Sequence, residues 1–193
     1  MGEAIFDYPR DTSHWHAWQD EYRYGAFYLF PPVGVIEHVD SLRLQYDPVS
    51  SAACQAHVSL SEPVPRPLAR EDIEELRRLL SDATPFKVTY GNVHSTTPYP
   101  GVVYEVGPAE NFTRLRNRVH SASAFRSSAF SRAGIPPHMT IAEFVTLEDS
   151  VAIAADLAGT APAGEWLCRD IEYAIPDEGM RFHRVLRLPL GPS

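Results

Sequence analysis

Several features that identify common classes of protein are missing from the sequence. It holds only two cysteines, Cys54 and Cys168, in 193 residues, and two distant cysteines in an intracellular chain favour reduced, partly buried thiols over a disulfide. No apolar run approaches the roughly 20 residues that cross a bilayer. The first residues include acids and lack the basic start and apolar stretch of a secretory signal. We therefore expect a cytoplasmic protein with no membrane contact.

Lysine is almost absent, and acids exceed bases. Lys87 is the single lysine among 17 basic residues, against 25 acids, and the net charge is −8. Such a surface supplies little long-range attraction to a nucleic-acid backbone, so binding to extended duplex DNA is not expected. A short anionic ligand in a locally positive cleft is compatible with this balance.

Motifs of nucleotide-driven and zinc-dependent enzymes are also missing. The sequence has no Gly-Lys-Ser/Thr loop of the Walker type, no Gly-x-Gly-x-x-Gly after a strand, and no paired-cysteine motif. It therefore predicts a protein with no cofactor, no metal ion and no ATP-driven ligation. Any ligase activity would be the reversal of transesterification at a cyclic or linked phosphate.

Strands and helices alternate after a less regular leader over residues 1–23. With 44% hydrophobic and 22% charged residues, the chain is an ordinary globular protein, long enough for one large domain or two small lobes that share a cleft. We expect a single domain over residues 24–190. The predicted strands are 24–30, 55–60, 86–93, 102–106, 138–144, 166–175 and 182–188, and the predicted helices are 33–46, 70–80, 108–120 and 147–157.

One eight-residue segment occurs twice. Residues 57–64 are His-Val-Ser-Leu-Ser-Glu-Pro-Val and residues 138–145 are His-Met-Thr-Ile-Ala-Glu-Phe-Val, so every position except the seventh is identical or similar. Each copy precedes a predicted helix and then two predicted strands. The repeat indicates an internal duplication, with a first lobe over about residues 48–107 and a second over about 108–190.

The repeated segments place an imidazole and a hydroxyl on one side of each strand. Alternate residues of a strand face the same side, so His57 and Ser59 share a side, as do His138 and Thr140. If pseudo-twofold symmetry brings the two strands to a shared cleft, two imidazoles and two hydroxyls converge there. A structural duplication that keeps both histidines only as hydrogen-bonding core residues is the alternative.

Two imidazoles and two hydroxyls form a set suited to phosphodiester chemistry. An imidazole with a pKa near 6.5 serves as base or acid at neutral pH. One ring takes a proton from the attacking group while the other gives a proton to the departing oxygen. Hydroxyls can donate hydrogen bonds to the non-bridging oxygens, where negative charge collects. This scheme requires no metal ion.

The paired segments resemble the signature of the 2H phosphoesterase superfamily, which includes the 2′-5′ RNA ligases and RNA 2′,3′-cyclic phosphodiesterases. That signature is a pair of His-x-Thr/Ser-aliphatic motifs about 80 residues apart. The matching segments are residues 56–60 and 137–141, and the likeness covers about residues 24–190. The family often has Pro before the first histidine and Thr two residues after it, where this chain has Ala56 and Ser59.

The resemblance implies an α+β, bilobal, duplicated fold in which two antiparallel sheets flank a central cleft and helices lie outside. It also implies a metal-independent phosphodiesterase, a hydrolase of 2′,3′-cyclic phosphates or 2′-5′ linkages at RNA ends or in small cyclic nucleotides. By this resemblance His57 and His138 are the catalytic pair, and Ser59 and Thr140 bind the phosphate. We assign His138 as base and His57 as acid, and we expect a monomer.

Residues near the motifs are candidates for substrate binding. Arg126 and Arg132 lie in a serine-rich loop just before the second motif, where guanidinium groups could meet phosphate oxygens. Tyr99 and Phe130 lie in loops and could stack on a base. The arginines at 114, 116 and 118 are interpreted mainly as a solvated helix face.

Two other functions compete with the phosphodiesterase. The first is a binding module of the same fold that recognises a nucleotide or an RNA end without turnover. The second is a metal-dependent hydrolase built around His14 and His16 in the leader, since His-x-His can bind metal. Turnover in EDTA and metal analysis separate these possibilities.

Overall fold

The protein has an α+β fold with two four-stranded antiparallel sheets, as the sequence predicted. A computed structural model describes residues 5–128 and 134–191. A one-turn 3-10 helix covers Ser123–Phe125. In chain order the elements are α1 (Ala17–Asp20), β1 (Ala26–Leu29), α2 (Val33–Tyr46), α3 (Pro48–Ala53), β2 (Val58–Ser59), α4 (Arg70–Leu80), β3 (Phe86–Ser95), β4 (Val102–Gly107), α5 (Ala109–His120), β5 (His138–Ala142), α6 (Leu147–Leu157), β6 (Gly164–Cys168), β7 (Asp170–Pro176) and β8 (Phe182–Pro189).

Each sheet takes strands from both halves of the chain. The first sheet has the order β2-β1-β7-β8, and the second has the order β5-β4-β3-β6. The strands of the two motifs, β2 and β5, are therefore edge strands of different sheets. Cα atoms of β2 and β5 come within 8 Å of one another, so the two motifs lie close together although they belong to different sheets.

Alternation along the strands separates the core from the face that carries the motifs. In β5, Met139 and Ile141 are fully buried, whereas His138 and Thr140 are half-buried. In β2, Val58 is fully buried. Burying one such apolar side chain contributes about 1.5–3 kcal/mol, so the core positions fix which side chains face outward.

The predicted helices bury the stripes that their periodicity indicates. In α5, Phe112, Leu115 and Val119 lie in the core. The core-facing residues of α4 are likewise those at i, i+3 and i+7, namely Ile73, Leu76 and Leu80. Both helices follow the amphipathic pattern of a helix packed against a core.

Two predicted strands differ from the observed ones. The strand expected over residues 55–60 is only two residues long, because the backbone N–H groups of Leu60 and Ser61 both bond to the carbonyl of Phe27, at 3.0 and 3.2 Å, which interrupts the regular ladder. The strand expected over residues 166–175 is two strands, β6 and β7, which belong to different sheets. Arg169 alone separates them.

The leader packs against the domain through aromatic residues. The hydroxyl of Tyr8 accepts the backbone N–H of Leu68 at 2.9 Å, and the ring of Phe6 lies 5.3 Å from that of Tyr173. Further along, the side chains of His14 and Trp15 each bond to the carbonyl of Glu178 in the β7–β8 turn, both at 2.8 Å. Among the described residues, no helix is long and apolar enough to cross a membrane.

Candidate active site

The two motifs present their side chains in the same way. His57 lies directly before β2, with Ser59 two residues later, and His138 begins β5, with Thr140 two residues later. All four are half-buried, and the residue between each pair is fully buried. The strands therefore direct the histidine and the hydroxyl of each motif away from the core, as the alternation predicted.

Both imidazoles are held in the same tautomer. Nδ1 of His57 lies 2.7 Å from the carbonyl oxygen of Gln55, and Nδ1 of His138 lies 2.9 Å from that of Pro136. A carbonyl oxygen only accepts, so Nδ1 carries the proton and donates it in each ring. In the neutral ring Nε2 then has the lone pair and can accept a proton. The two motif histidines therefore make the same hydrogen bond, from Nδ1 to the carbonyl two residues earlier.

Aromatic rings surround His57. The ring of Tyr28 meets it edge-on at 4.6 Å between centroids, and the ring of Phe30 lies at 5.9 Å. Tyr28 is also directly opposite Ser59 in the register of β1 on β2, so both project from one face of the sheet. These contacts restrict the orientation of the imidazole.

A carboxylate and a third histidine lie on the face of His138. The register of β4 on β5 places Glu105 opposite His138, where the Cβ atoms of directly opposed residues are about 4.5–5.5 Å apart. Glu105 lies 3.5 Å from Nδ1 of His94 on β3. No local pattern singles out Glu105, because only the strand register brings it beside the second motif.

A buried arginine joins the first motif to the segment just before the second motif. Arg116 of α5 is 3% exposed, and its guanidinium donates to the carbonyl of Ser59 at 3.1 Å and to the carbonyl of Ile135 at 2.5 Å. The interpretation of this arginine as a solvated residue was wrong. Its spacing held the signal, since it lies four residues after Phe112 and three before Val119, on the buried stripe of the helix.

The turns that follow the motifs are held in a crossed arrangement. Asp47, just after α2, accepts the backbone N–H groups of Glu143 and Phe144 at 2.8 and 2.9 Å. His120, the last residue of α5, accepts the N–H of Glu62 at 3.0 Å through Nε2. Glu62 and Glu143 occupy equivalent positions, five residues after each motif histidine. The helix before each motif therefore holds the turn after the other motif.

A carboxylate within α2 holds the backbone just before the first motif. Asp40 accepts the backbone N–H of Ala56, the residue before His57, at 2.9 Å. Burial raises the pKa of Asp40, although Arg43 and the N–H of Ala56 oppose this effect. Arg43 itself is buried and donates to the carbonyl of Cys54 at 2.8 Å. Helix α2 therefore holds the backbone just before the first motif at two points.

Tyr99 lies in the turn between β3 and β4 and is 75% exposed. In the register of β4 on β5, Val102 is opposite Ala142 and Glu105 is opposite His138. The turn therefore extends beyond the end of β5 that is farther from His138. A role for Tyr99 in stacking on a base stays a prediction.

The predicted positive loop is described only in part. Arg126 is exposed and directly follows the 3-10 helix that precedes the second motif. Phe130 and Arg132 lie outside the described residues. Contacts of these three side chains with a substrate stay predictions.

Neither metal ligands nor reactive thiols are assembled in the described part of the chain. Over residues 5–128 and 134–191 no three histidines, cysteines or carboxylates form a group that could hold a metal ion. Both Cys54 and Cys168 are free thiols, as predicted. Burial raises the pKa of each to about 12, which disfavours the nucleophilic thiolate.

Solved structures with a similar fold support this architecture. LigT of E. coli in complex with 3′-AMP has a TM-score of 0.58 and 19% sequence identity, over 86% of this chain and 96% of that one. TT0787 of Thermus thermophilus has a TM-score of 0.57 and 14% identity, over 87% and 98%. At these identities the likeness shows that the fold is shared.

Sequence comparisons assign the family. A candidate phosphoesterase of Oceanobacillus iheyensis is 26% identical over 118 residues, which cover 60% of this chain and 67% of that protein. A sequence model described as the 2′-5′ RNA ligase superfamily matches residues 31–179, which include both histidine motifs. This match spans more than half of the chain and confirms the resemblance seen in the repeat. The chain therefore belongs to the 2′-5′ RNA ligase superfamily.

Proposed function

We propose that the protein is a metal-independent phosphodiesterase that acts on 2′,3′-cyclic phosphates or 2′-5′ phosphodiesters, at RNA ends or in small nucleotides. One observation carries the proposal. His57 and His138, on edge strands that approach each other, both donate Nδ1–H to the carbonyl two residues before them, which leaves Nε2 as the proton-exchanging atom of each ring. Two such atoms can serve as base and acid in one reaction.

In the proposed reaction His138 is the base and His57 is the acid. Nε2 of neutral His138 takes a proton from a water molecule as its oxygen attacks phosphorus. The bond between phosphorus and a ribose oxygen breaks, and protonated His57 gives its Nε2 proton to that oxygen. The product is a phosphate monoester, which is a nucleoside monophosphate from a small nucleotide and a terminal phosphate from an RNA end. Each proton transfer contributes on the order of 10²–10⁴-fold to the rate.

The hydroxyls of the motifs complete the proposed site. Ser59 and Thr140 lie two residues after their histidines, on the same side of each strand. Their hydroxyls can donate to the non-bridging oxygens of the phosphate, where charge develops in the transition state. The chain supplies all of these groups itself. With a ribose 5′-hydroxyl in place of water, the same attack on a 2′,3′-cyclic phosphate expels one ribose oxygen and forms a phosphodiester without ATP.

Structures of a relative are compatible with a site for nucleotides and phosphate. LigT of E. coli has been solved with 3′-AMP and with phosphate. A nucleoside 3′-monophosphate is a product expected from hydrolysis of a 2′,3′-cyclic phosphate. We therefore propose nucleotide phosphodiesters as the substrate class of this chain.

The test is turnover in the presence of EDTA. We expect the purified protein to hydrolyse 2′,3′-cyclic AMP or 2′-5′-linked diadenosine monophosphate, followed by phosphorus NMR and chromatography. We expect His57→Ala and His138→Ala each to lower kcat by about 10²–10⁴-fold. His183→Ala is the matched control, because His183 is exposed on β8, and it should retain activity.

The outcomes separate the competing functions. If wild type and both motif variants turn over substrate equally, the catalytic proposal is wrong. Nucleotide binding without turnover would favour the binding module of the same fold. If EDTA abolishes activity and stoichiometric metal restores it, the metal-dependent hydrolase is favoured.

A further inference from the structure

A cavity of about 330 Å³ opens on the face of the first sheet that carries the first motif. Tyr28 lies opposite Ser59 on one side and Glu172 on the other, and Glu172 lies opposite Arg187. Directly opposed residues of a sheet project from one face. Glu172 and Arg187 line the cavity, so the cavity and Ser59 share a face.

One aromatic ring separates this cavity from His57. Phe30 lines the cavity, and its ring centroid lies 5.9 Å from that of His57. On the cavity side, the guanidinium of Arg184 lies 4.6 Å from the centroid of Phe30. A group bound in the cavity would therefore lie about one ring away from the first motif histidine.

The charged groups of the cavity neutralise one another. Arg184 donates to both carboxylate oxygens of Glu172, through Nε at 2.6 Å and through Nη2. Arg187 donates to Asp170 at 2.5 Å. Because both guanidiniums already face carboxylates, the cavity offers donors and acceptors side by side rather than an uncompensated positive charge. This arrangement suits a neutral polar group better than a second phosphate.

Apolar side chains supply the remaining wall. Leu167 of β6 is 45% exposed and Val33 at the start of α2 is 68% exposed, and both line the cavity. Exposed apolar surface beside paired donors and acceptors matches a flat heterocycle with apolar faces and a polar edge. The volume falls within the range of roughly 300–1,000 Å³ typical of small-molecule sites, at the size of a single nucleoside.

We propose that this cavity binds the nucleobase of the substrate while the phosphate lies at the histidine motifs. The proposal rests on the proposed function and deepens it, because it identifies the substrate as a nucleotide whose base is recognised. Leu167 and Val33 contact the base in this arrangement, and the two ion pairs meet its polar edge.

The test compares a substrate that has a base with one that lacks it. In Leu167→Glu the apolar wall is lost and a new carboxylate must be desolvated when the base enters. We expect the ratio of kcat/KM for 2′,3′-cyclic AMP to kcat/KM for ribose 2′,3′-cyclic phosphate to fall about 10-fold. Leu44→Glu is the matched control, since Leu44 is a 65% exposed leucine of α2 outside the cavity lining. It should leave both values unchanged.

Binding separates failure of this proposal from failure of the proposed reaction. If wild type turns over neither substrate, titration calorimetry with 3′-AMP and with ribose 3-phosphate replaces the kinetic ratio. We then expect Leu167→Glu to weaken binding of 3′-AMP about 10-fold more than binding of ribose 3-phosphate. Equal loss for both ligands, loss for neither, or a wild-type chain that binds no nucleotide would overturn the base site.

Discussion

Asp47 accepts the backbone N–H of Glu143 at 2.8 Å, which joins the end of α2 to the turn after the second motif. At the equivalent turn after the first motif, His120 at the end of α5 accepts the N–H of Glu62. The two halves of the chain thus hold each other through a pair of related hydrogen bonds. One acceptor is a carboxylate and the other is an imidazole.

These crossed bonds flank the two motif strands, of which β2 pairs very little. Strand β2 has only two residues, so its ladder with β1 is short and supplies few hydrogen bonds. The position of the first motif therefore depends on bonds from the helices, including those of Arg116 to the carbonyls of Ser59 and Ile135. Small errors in the placement of catalytic groups lower rates strongly, even when the binding groups remain.

We expect Arg116→Met to lower kcat at least 10-fold and to lower the free energy of unfolding by about 1–3 kcal/mol, because two carbonyls lose a charged donor in a buried site. KM should change less than kcat, since the change displaces the motifs relative to each other. Steady-state kinetics and urea unfolding measure both effects.

Arg114→Met is the control for this change. Arg114 lies on the same helix and is exposed, so its loss should leave kcat and stability near those of wild type. Arg116→Lys tests geometry, because one ammonium cannot reproduce the two directed bonds of a guanidinium. If Arg116→Lys retains full kcat, then a positive charge at this position suffices and the two directed hydrogen bonds of the guanidinium are not required.

Asp47→Asn should destabilise the fold by about 1–3 kcal/mol, because a buried amide replaces a carboxylate that accepts three backbone N–H groups. The amide has one acceptor oxygen, so its NH₂ group must face an N–H donor. Thermal unfolding and hydrogen exchange at Glu143 and Phe144 measure the effect. Asp149→Asn, at an exposed position in α6, is the comparison. Unchanged exchange at both amides in Asp47→Asn would contradict this account.

Local patterns in the sequence predicted most of the fold. A period of two residues predicted β5, and a period of about 3.6 residues predicted the buried stripe of α5, because burial of one face against the core imposes those periods. The repeat predicted the family and singled out the paired histidines, since the same His-x-Ser/Thr pattern at two places is far less common by chance than one copy.

Long-range pairing was not accessible from the same patterns. Arg116, Asp47 and His120 act through backbone groups far away in the sequence, and nothing local marks a carboxylate or imidazole that accepts a distant N–H. The break at Arg169 was also missed, because its neighbours on both sides have ordinary strand composition. Such features depend on the sheet order, which local propensity does not specify.

Both thiols should react very slowly in the folded protein. Burial raises the pKa of Cys54 and of Cys168 to about 12, so at pH 8 the thiolate fraction is roughly 10⁻⁴, against about a quarter for an unperturbed thiol. We expect an aromatic disulfide such as dithiobis(nitrobenzoate) to modify neither thiol at an appreciable rate in buffer, and to modify two thiols per chain in guanidinium. Rapid reaction of a thiol under native conditions would contradict this burial.

Stability should fall in acid through Asp72, at the first turn of α4. Arg66 donates to both oxygens of Asp72 at 2.7 Å, and the N–H of Ala69 adds a third bond at 2.8 Å. The bond from Arg66, ahead of that from Ala69, lowers the pKa of Asp72, although burial opposes it. Because the folded pKa is lower than the unfolded one, the stabilisation is complete above the unfolded value of about 3.9 and is lost as pH falls through the folded value.

Asp72→Asn removes this dependence. We expect it to lower the free energy of unfolding by about 1–2 kcal/mol at pH 7, the range of a lost helix cap plus an ion pair whose arginine is nearly half exposed. The deficit should shrink as pH falls below 4, because protonated Asp72 in wild type also lacks the charge. Urea unfolding at several pH values measures it, with Glu74→Gln as the control at an exposed position of the same helix. A deficit that stays constant down to pH 2 would mean that shape, rather than charge, is what Asp72 contributes.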